Sequence, residues 1–121
     1  MPVSAVKYYH LSAEQGDDKA QRNLGYMYAN GKGVAKDEQE AFEWYLLSAK
    51  QGNDQAQNTV GNKYYYGKGR EKNYQLACQY YRLSAAQGND QAQRNMGYMY
   101  AKGKGVPKDE KEALKWYLLS A

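Results

Sequence analysis

The side chains with the widest chemical scope in this sequence of 121 residues are one histidine, one cysteine and three Gly-Lys-Gly loops. His10 acting as a general base needs a nucleophile within hydrogen-bond reach, and no Ser or Cys is spaced to supply one. An ordinary helix-face histidine is the expected reading. Cys78, following the core position Ala77 in a second helix and aligned with Phe42 and Leu114, reads as a packed, inert thiol. One cysteine closes no internal disulfide, and one cysteine with one histidine assembles no Cys/His metal site within a chain, so neither a metal nor a cofactor is expected. The loops Gly31-Lys32-Gly33, Gly67-Lys68-Gly69 and Gly103-Lys104-Gly105 superficially resemble phosphate cradles. A dinucleotide fingerprint requires a third glycine and a preceding strand, and a P-loop requires Gly-Lys-Ser/Thr opening a helix. Here the next helix opens on Asp37 or Asp109, whose carboxylate repels phosphate, so turn geometry accounts for the glycines. The chain is expected not to be an enzyme, and the chemistry that remains is recognition.

Charge narrows the partners. Lys and Arg total 17 against 13 Asp and Glu, a net charge of +4 that permits acidic partners without demanding them. Eight of those cations, Lys32, Lys36, Lys68, Arg70, Lys72, Lys102, Lys104 and Lys108, fall in the loops. Solvated loops are the expected reading. The alternative is a basic ridge for an anionic polymer or membrane surface, but no arginine-rich arm or aromatic stacking platform accompanies the cations, so nucleic acid is not the expected partner. No run of 18 apolar residues and no signal-peptide core is present, so a chain without a transmembrane segment, cytoplasmic rather than exported, is expected.

The elements that position these side chains must be built from an unusual core. Nine Leu, five Val, one Phe and no Ile are few for a folded domain, whereas 14 Tyr, two Trp and 15 Ala can bury area as large rings against small residues. That mixture disfavours a sandwich or barrel. The sequence also repeats every 36 residues: Gly25, Gly61 and Gly97 keep register, as do Ala41, Ala77 and Ala113, and Tyr45, Tyr81 and Tyr117. Residues 17–49 match 89–121 at 25 of 33 positions, while 53–85 match 89–121 at 16.

Each unit reads as two helices of roughly 13 residues. Ala20, Leu24 and Tyr28 mark the buried stripe of the first, with Asp17 or Asp18 as N-cap and Gly31 as stop. Gly25, mid-helix, costs about 1 kcal/mol against alanine, so its recurrence predicts a neighbouring helix crossing too close for a Cβ. Ala41, Tyr45 and Ala49 mark the second helix, flanked by Trp44 and either Leu46 or Leu47. Asp37 with Glu40 and Asp109 with Glu112 have capping-box spacing, and Gly16, Gly52 and Gly88 are expected as left-handed closing residues. Stacked pairs make an all-α solenoid, a curved superhelix in a single domain: a half-repeat over 1–16, repeats over 17–52 and 53–88, and a truncated one over 89–121.

Ala20, Leu24-Gly25, Tyr28, Gly31, Gly33-Val34, Asp37, Ala41, Trp44-Tyr45, Ala49 and Gly52 together resemble the Sel-one-like repeat, a branch of the tetratricopeptide-like helical repeats. The middle unit departs from it with Arg70, Asn73 and Tyr80. The resemblance implies a non-catalytic scaffold or adaptor that binds a protein or peptide on its concave side. A cysteine-rich branch staples its repeats with disulfides; the paired cysteines are lacking here, so properties of that branch do not carry over. Alignment on Leu24-Gly25-Tyr28 places Arg22, Tyr26, Asn58, Asn62, Arg94 and Tyr98 on the groove side, with Ala29, Tyr65 and Ala101 one turn on. Arginine and amide donors suit an extended backbone, an acidic segment or a free carboxylate, and tyrosines add rigid contact area. The alternative is a structural or self-assembling module, a fragment of a longer solenoid or a homo-oligomer formed through uncapped ends, the last helix carrying Trp116, Leu118 and Leu119.

Overall fold

The computed structural model describes residues 2–121. Seven helices form among the described residues: α1 (Pro2–Glu14), α2 (Asp18–Asn30), α3 (Glu38–Lys50), α4 (Asp54–Tyr66), α5 (Tyr74–Ala86), α6 (Asp90–Lys102) and α7 (Glu110–Ser120). The contacts that carry the fold run between chain neighbours, within the pairs α2–α3, α4–α5 and α6–α7 and across the joints α1–α2, α3–α4 and α5–α6. This is an all-α repeat solenoid.

The helix ends follow from local chemistry. Asp17, Asn53 and Asn89 cap the first helices of the pairs, each side chain accepting the backbone N–H three residues on. Gly31, Gly67 and Gly103 stop those helices at φ of 66, 73 and 68°. Gly16, Gly52 and Gly88 have φ of 96, 97 and 94°, the left-handed closure expected of them. The capping boxes form by half. Asp37 accepts from the Glu40 N–H at 3.1 Å, but the Glu40 carboxylate turns away to accept the Trp44 indole N–H at 3.1 Å, because the ring brings it a donor that would otherwise be half-buried and unpaired.

The glycine prediction holds in all three pairs. A Cβ on Gly25 would lie 2.8 Å from the Tyr45 ring, one on Gly61 2.5 Å from that of Tyr81, and one on Gly97 2.7 Å from that of Tyr117. Each second helix thus lays a tyrosine flat across the first. Ala41, Tyr45 and Ala49 are buried as expected, and Leu46 rather than Leu47 faces the core. The same stripe is less covered in α7, where Tyr117 is 39% exposed and no further helix packs over it among the described residues.

A polar ladder repeats with the helices. Ser48 donates to the Asp18 carbonyl and Ser84 to that of Asp54, both at 2.7 Å. Gln21, Gln57 and Gln93, all buried, donate to the carbonyls of Ala13, Ala49 and Ala85 at 3.1–3.2 Å. Gln51 and Gln87 then donate to the side chains of Gln21 and Gln57. Buried amides and hydroxyls satisfied in this way fix the spacing of one repeat on the next.

Candidate functional site

The face shared by α2, α4 and α6 holds three adjoining clefts. The first, of about 400 Å³, is lined by Arg22, Asn23, Tyr26, Tyr45, Gln55 and Thr59. A second, of about 380 Å³, is lined by Gln55, Asn58, Thr59, Asn89, Asp90 and Gln91, so one carboxylate borders the middle of the row. The third, of about 490 Å³, is walled by Asn62, Tyr65, Tyr66, Tyr81, Arg94, Asn95, Tyr98, Met99 and Tyr117. No carboxylate lines the first or the third. Arg94 lies 3.8 Å from Asp90, an exposed pair of little energetic weight that leaves the guanidinium available.

The structure therefore sets Arg22 with Tyr26 in one cleft, and Asn62, Arg94 and Tyr98 in another. Asn58 borders the middle cleft but is buried, accepting from the Asn95 amide at 3.0 Å and facing Gln91 at 3.5 Å. At the positions of Arg22 and Arg94 a long stem carries the charge outward, whereas the short amide of Asn58 stays between helices and works as a structural link. Asn62 accepts from the Tyr81 hydroxyl at 2.6 Å, so its carbonyl is committed to holding that ring.

A family model for the Sel1 repeat matches residues 2–17, 18–53, 54–89 and 90–121. The chain belongs to the Sel1 repeat family. Sel1 repeats are in general protein-interaction scaffolds, and the fold here is that of solved family members. The chain is 38% identical to c5321 of Escherichia coli, described as a protective antigen of uropathogenic strains with an SLR fold; the match covers 98% of this chain and 25% of that one, with a TM-score of 0.96. A Sel1 repeat protein from Oxalobacter formigenes is also 38% identical, with 98% of this chain and 49% of that one covered and a TM-score of 0.94. The cysteine-rich protein B of Helicobacter pylori is 25% identical, with coverages of 97% and 84% and a TM-score of 0.74. The chain thus spans a quarter to a half of the first two proteins. No curated protein is significantly similar to it.

Several other chemistry-bearing residues of this Sel1 array have partners within the chain. His10 Nε2 lies 3.1 Å from the Tyr28 hydroxyl and edge-on to Trp44. Cys78 is buried and lies 3.2 Å from the Lys104 carbonyl, and burial pushes its thiol pKa up, which makes the reactive thiolate scarcer. Of the eight loop cations, Lys32 donates to the Tyr26 hydroxyl at 3.1 Å, Arg70 pairs with Glu43 over Phe42, Lys72 sits over Tyr74, and Lys108 faces Glu110. Lys104 donates to the Tyr65 hydroxyl at 2.9 Å, and that bond raises its pKa. Sequence reasoning placed Lys104 with the solvated loops; the overlooked signal was the aromatic residue Tyr74 where the sister repeats carry Glu38 and Glu110.

Burial also pushes the phenol pKa values of the Sel1 core tyrosines up: Tyr45 to about 12, and Tyr81 in the same direction for the same reason. A folded-state pKa above the unfolded value of 10 gives stability that is complete below pH 10 and lost as pH rises toward 12. Helical circular dichroism is expected to disappear across that window, and Tyr45→Phe to move the loss to higher pH. Helicity unchanged up to pH 12 would contradict this.

Proposed function

We propose that this chain is a non-catalytic interaction scaffold that holds an extended segment of a partner protein along the face of α2, α4 and α6. The observation that carries this reading is the row of adjoining clefts with Arg22 and Tyr26 at one end and Arg94 and Tyr98 at the other, free of acidic residues at both ends. Two guanidinium groups on rigid helices suit a segment that carries carboxylates, whether side chains or a free C-terminus. The tyrosines offer large contact area at small entropic cost. Preorganised surface replaces chemistry, and the family membership supports the same class of role.

The test is selection of a peptide library with free C-termini on the immobilised chain, followed by titration of the enriched peptide into an Arg22→Ala/Arg94→Ala variant. Affinity is expected to fall by at least about tenfold, two charge-assisted contacts being lost. The melting temperature should stay within roughly 2 °C, because both side chains are partly or fully exposed. Undiminished binding would refute the reading. Asn58→Ala is unsuitable as a third change, since that amide is buried and bonded.

A structural or self-assembling module is the second reading, favoured by α7, where Leu114, Leu118 and Leu119 are 58, 66 and 63% exposed. A monomeric mass in solution at about 100 µM would count against it, since assembly through such a face follows mass action.

A further inference from the structure

Tyr65 and Tyr98 meet by their hydroxyl ends across the joint between the second and third pairs. Their phenol oxygens lie 3.4 Å apart, with the rings edge to face and the centroids separated by 6.2 Å. Tyr65 belongs to the last turn of α4 and Tyr98 to α6, 33 residues further along the chain. The first joint has no such pair, because the corresponding positions there are Ala29 and Asn62. Lys104 donates to the Tyr65 hydroxyl at 2.9 Å and so ties that side chain to the loop after α6. We infer that Tyr65 and Tyr98 form a modification site: a one-electron oxidant, such as a haem peroxidase working with peroxide, joins their rings into an intrachain dityrosine that staples α4 to α6. The site needs no ligand on the α2–α4–α6 face and is independent of the scaffold reading.

In the coupling each phenol gives one electron to the oxidant and its hydroxyl proton to water. The two phenoxyl radicals carry spin on oxygen and on the ring carbons beside the C–O carbon. One such carbon of Tyr65 bonds to one of Tyr98, and each bonded carbon then loses its proton while each oxygen regains one, which restores both phenols. The chain has lost two hydrogen atoms. Hydrogen peroxide, reduced to two waters, takes up the two electrons and two protons.

Three observations single out this pair among the 14 tyrosines. First, an oxidant reaches it. Both rings wall the 490 Å³ cleft and Tyr98 is 37% exposed, whereas in the stacked pair of Tyr64 and Tyr80 the Tyr64 ring is buried. Second, the hydroxyl ends, where the spin resides, are the ends in contact. Tyr66 and Tyr74 also flank Tyr65, with centroids 4.8 and 5.1 Å away, but neither hydroxyl bonds to that of Tyr65 among the described residues. Third, hydrogen bonding by Tyr65, and then by Lys104, holds the Tyr98 phenol pKa below the usual tyrosine value, and a phenolate yields an electron more readily than a phenol. Closing the remaining gap takes side-chain rotation alone, a fast motion for rings that are partly exposed.

The test treats the whole chain with a haem peroxidase and hydrogen peroxide, at about 1 µM protein so that coupling within a molecule outruns coupling between molecules. Peptide mapping is expected to find Tyr65 and Tyr98 joined, in a chain of monomer mass less two hydrogen atoms that shows the blue fluorescence of dityrosine. Tyr65→Phe and Tyr98→Phe should each lower that fluorescence at least about tenfold, while Tyr66→Phe and Tyr74→Phe leave it within about twofold. Each variant keeps its ring and loses one hydroxyl, so helical circular dichroism should match the parent and exclude misfolding as the cause. The stapled chain should melt at least about 5 °C higher, because the link restricts the unfolded state. A link mapped to Tyr66 or Tyr74, dityrosine formed only between chains, or none formed once the peroxide is consumed would each overturn the proposal. A link between Tyr65 and Tyr98 that left the melting temperature unchanged would overturn its role as a staple.

Discussion

Replacing Phe42 with alanine is expected to remove about 3–5 kcal/mol of stability, because a fully buried ring leaves a cavity that its neighbours only partly fill. Phe42 is 0% exposed at the joint between the first two pairs, edge-on to Tyr64 with centroids 5.3 Å apart and covered by the Arg70 guanidinium at 4.4 Å. For a chain of this size the loss corresponds to a drop in melting temperature of roughly 10–20 °C. Leu114 supplies the internal control. It occupies the same position in the last pair but is 58% exposed, so Leu114→Ala should change stability by less than about 1 kcal/mol. Equal losses in the two variants, measured by urea denaturation, would show that burial between repeats is not what makes the position matter.

Gly105→Ala is expected to cost about 2–5 kcal/mol, combining left-handed backbone strain with overpacking. Gly105 has φ of +76°, and a Cβ there would run into the Tyr74 carbonyl oxygen and come within 2.7 Å of its carbon. Those are backbone atoms of the neighbouring helix and cannot rotate aside. The damage falls on the contact between the second and third pairs, so denaturation should become biphasic, with α6 and α7 lost first. Gly103→Ala shares the positive φ, at +68°, but its Cβ would meet the Lys108 backbone and Cβ within its own loop at 3.1–3.4 Å. It should cost only about 1–2 kcal/mol and keep a single transition.

These two sites illustrate what the sequence made readable. The 36-residue period, the caps at Asp17, Asp37 and Gly31, and the close approach at Gly25, Gly61 and Gly97 all express local backbone rules, which leave a direct mark on residue type. Arg22 and Tyr26, and likewise Arg94 and Tyr98, could be placed on one face because helical spacing alone decides that. Asn58 could not: the period puts it beside the arginines, but side-chain length, not register, decides whether a group reaches solvent or stays between helices. The ladder of Gln21, Gln57 and Gln93 with Ser48 and Ser84 was visible as repetition without its meaning, since each bond joins groups 8 to 30 residues apart. The contacts among Lys104, Tyr65 and Tyr98 were hidden for the same reason, since only the stacking of repeats brings Tyr65 to the other two.

The most direct test of the scaffold claim is amide chemical-shift mapping with the library-selected peptide. Shifts are predicted along α2, α4 and α6, centred on Arg22, Tyr26, Arg94 and Tyr98, with the outward faces of α3 and α5 unmoved. Shifts confined to α7, or to the loops that carry Lys36 and Lys72, would contradict the account and move the binding surface to another part of the molecule.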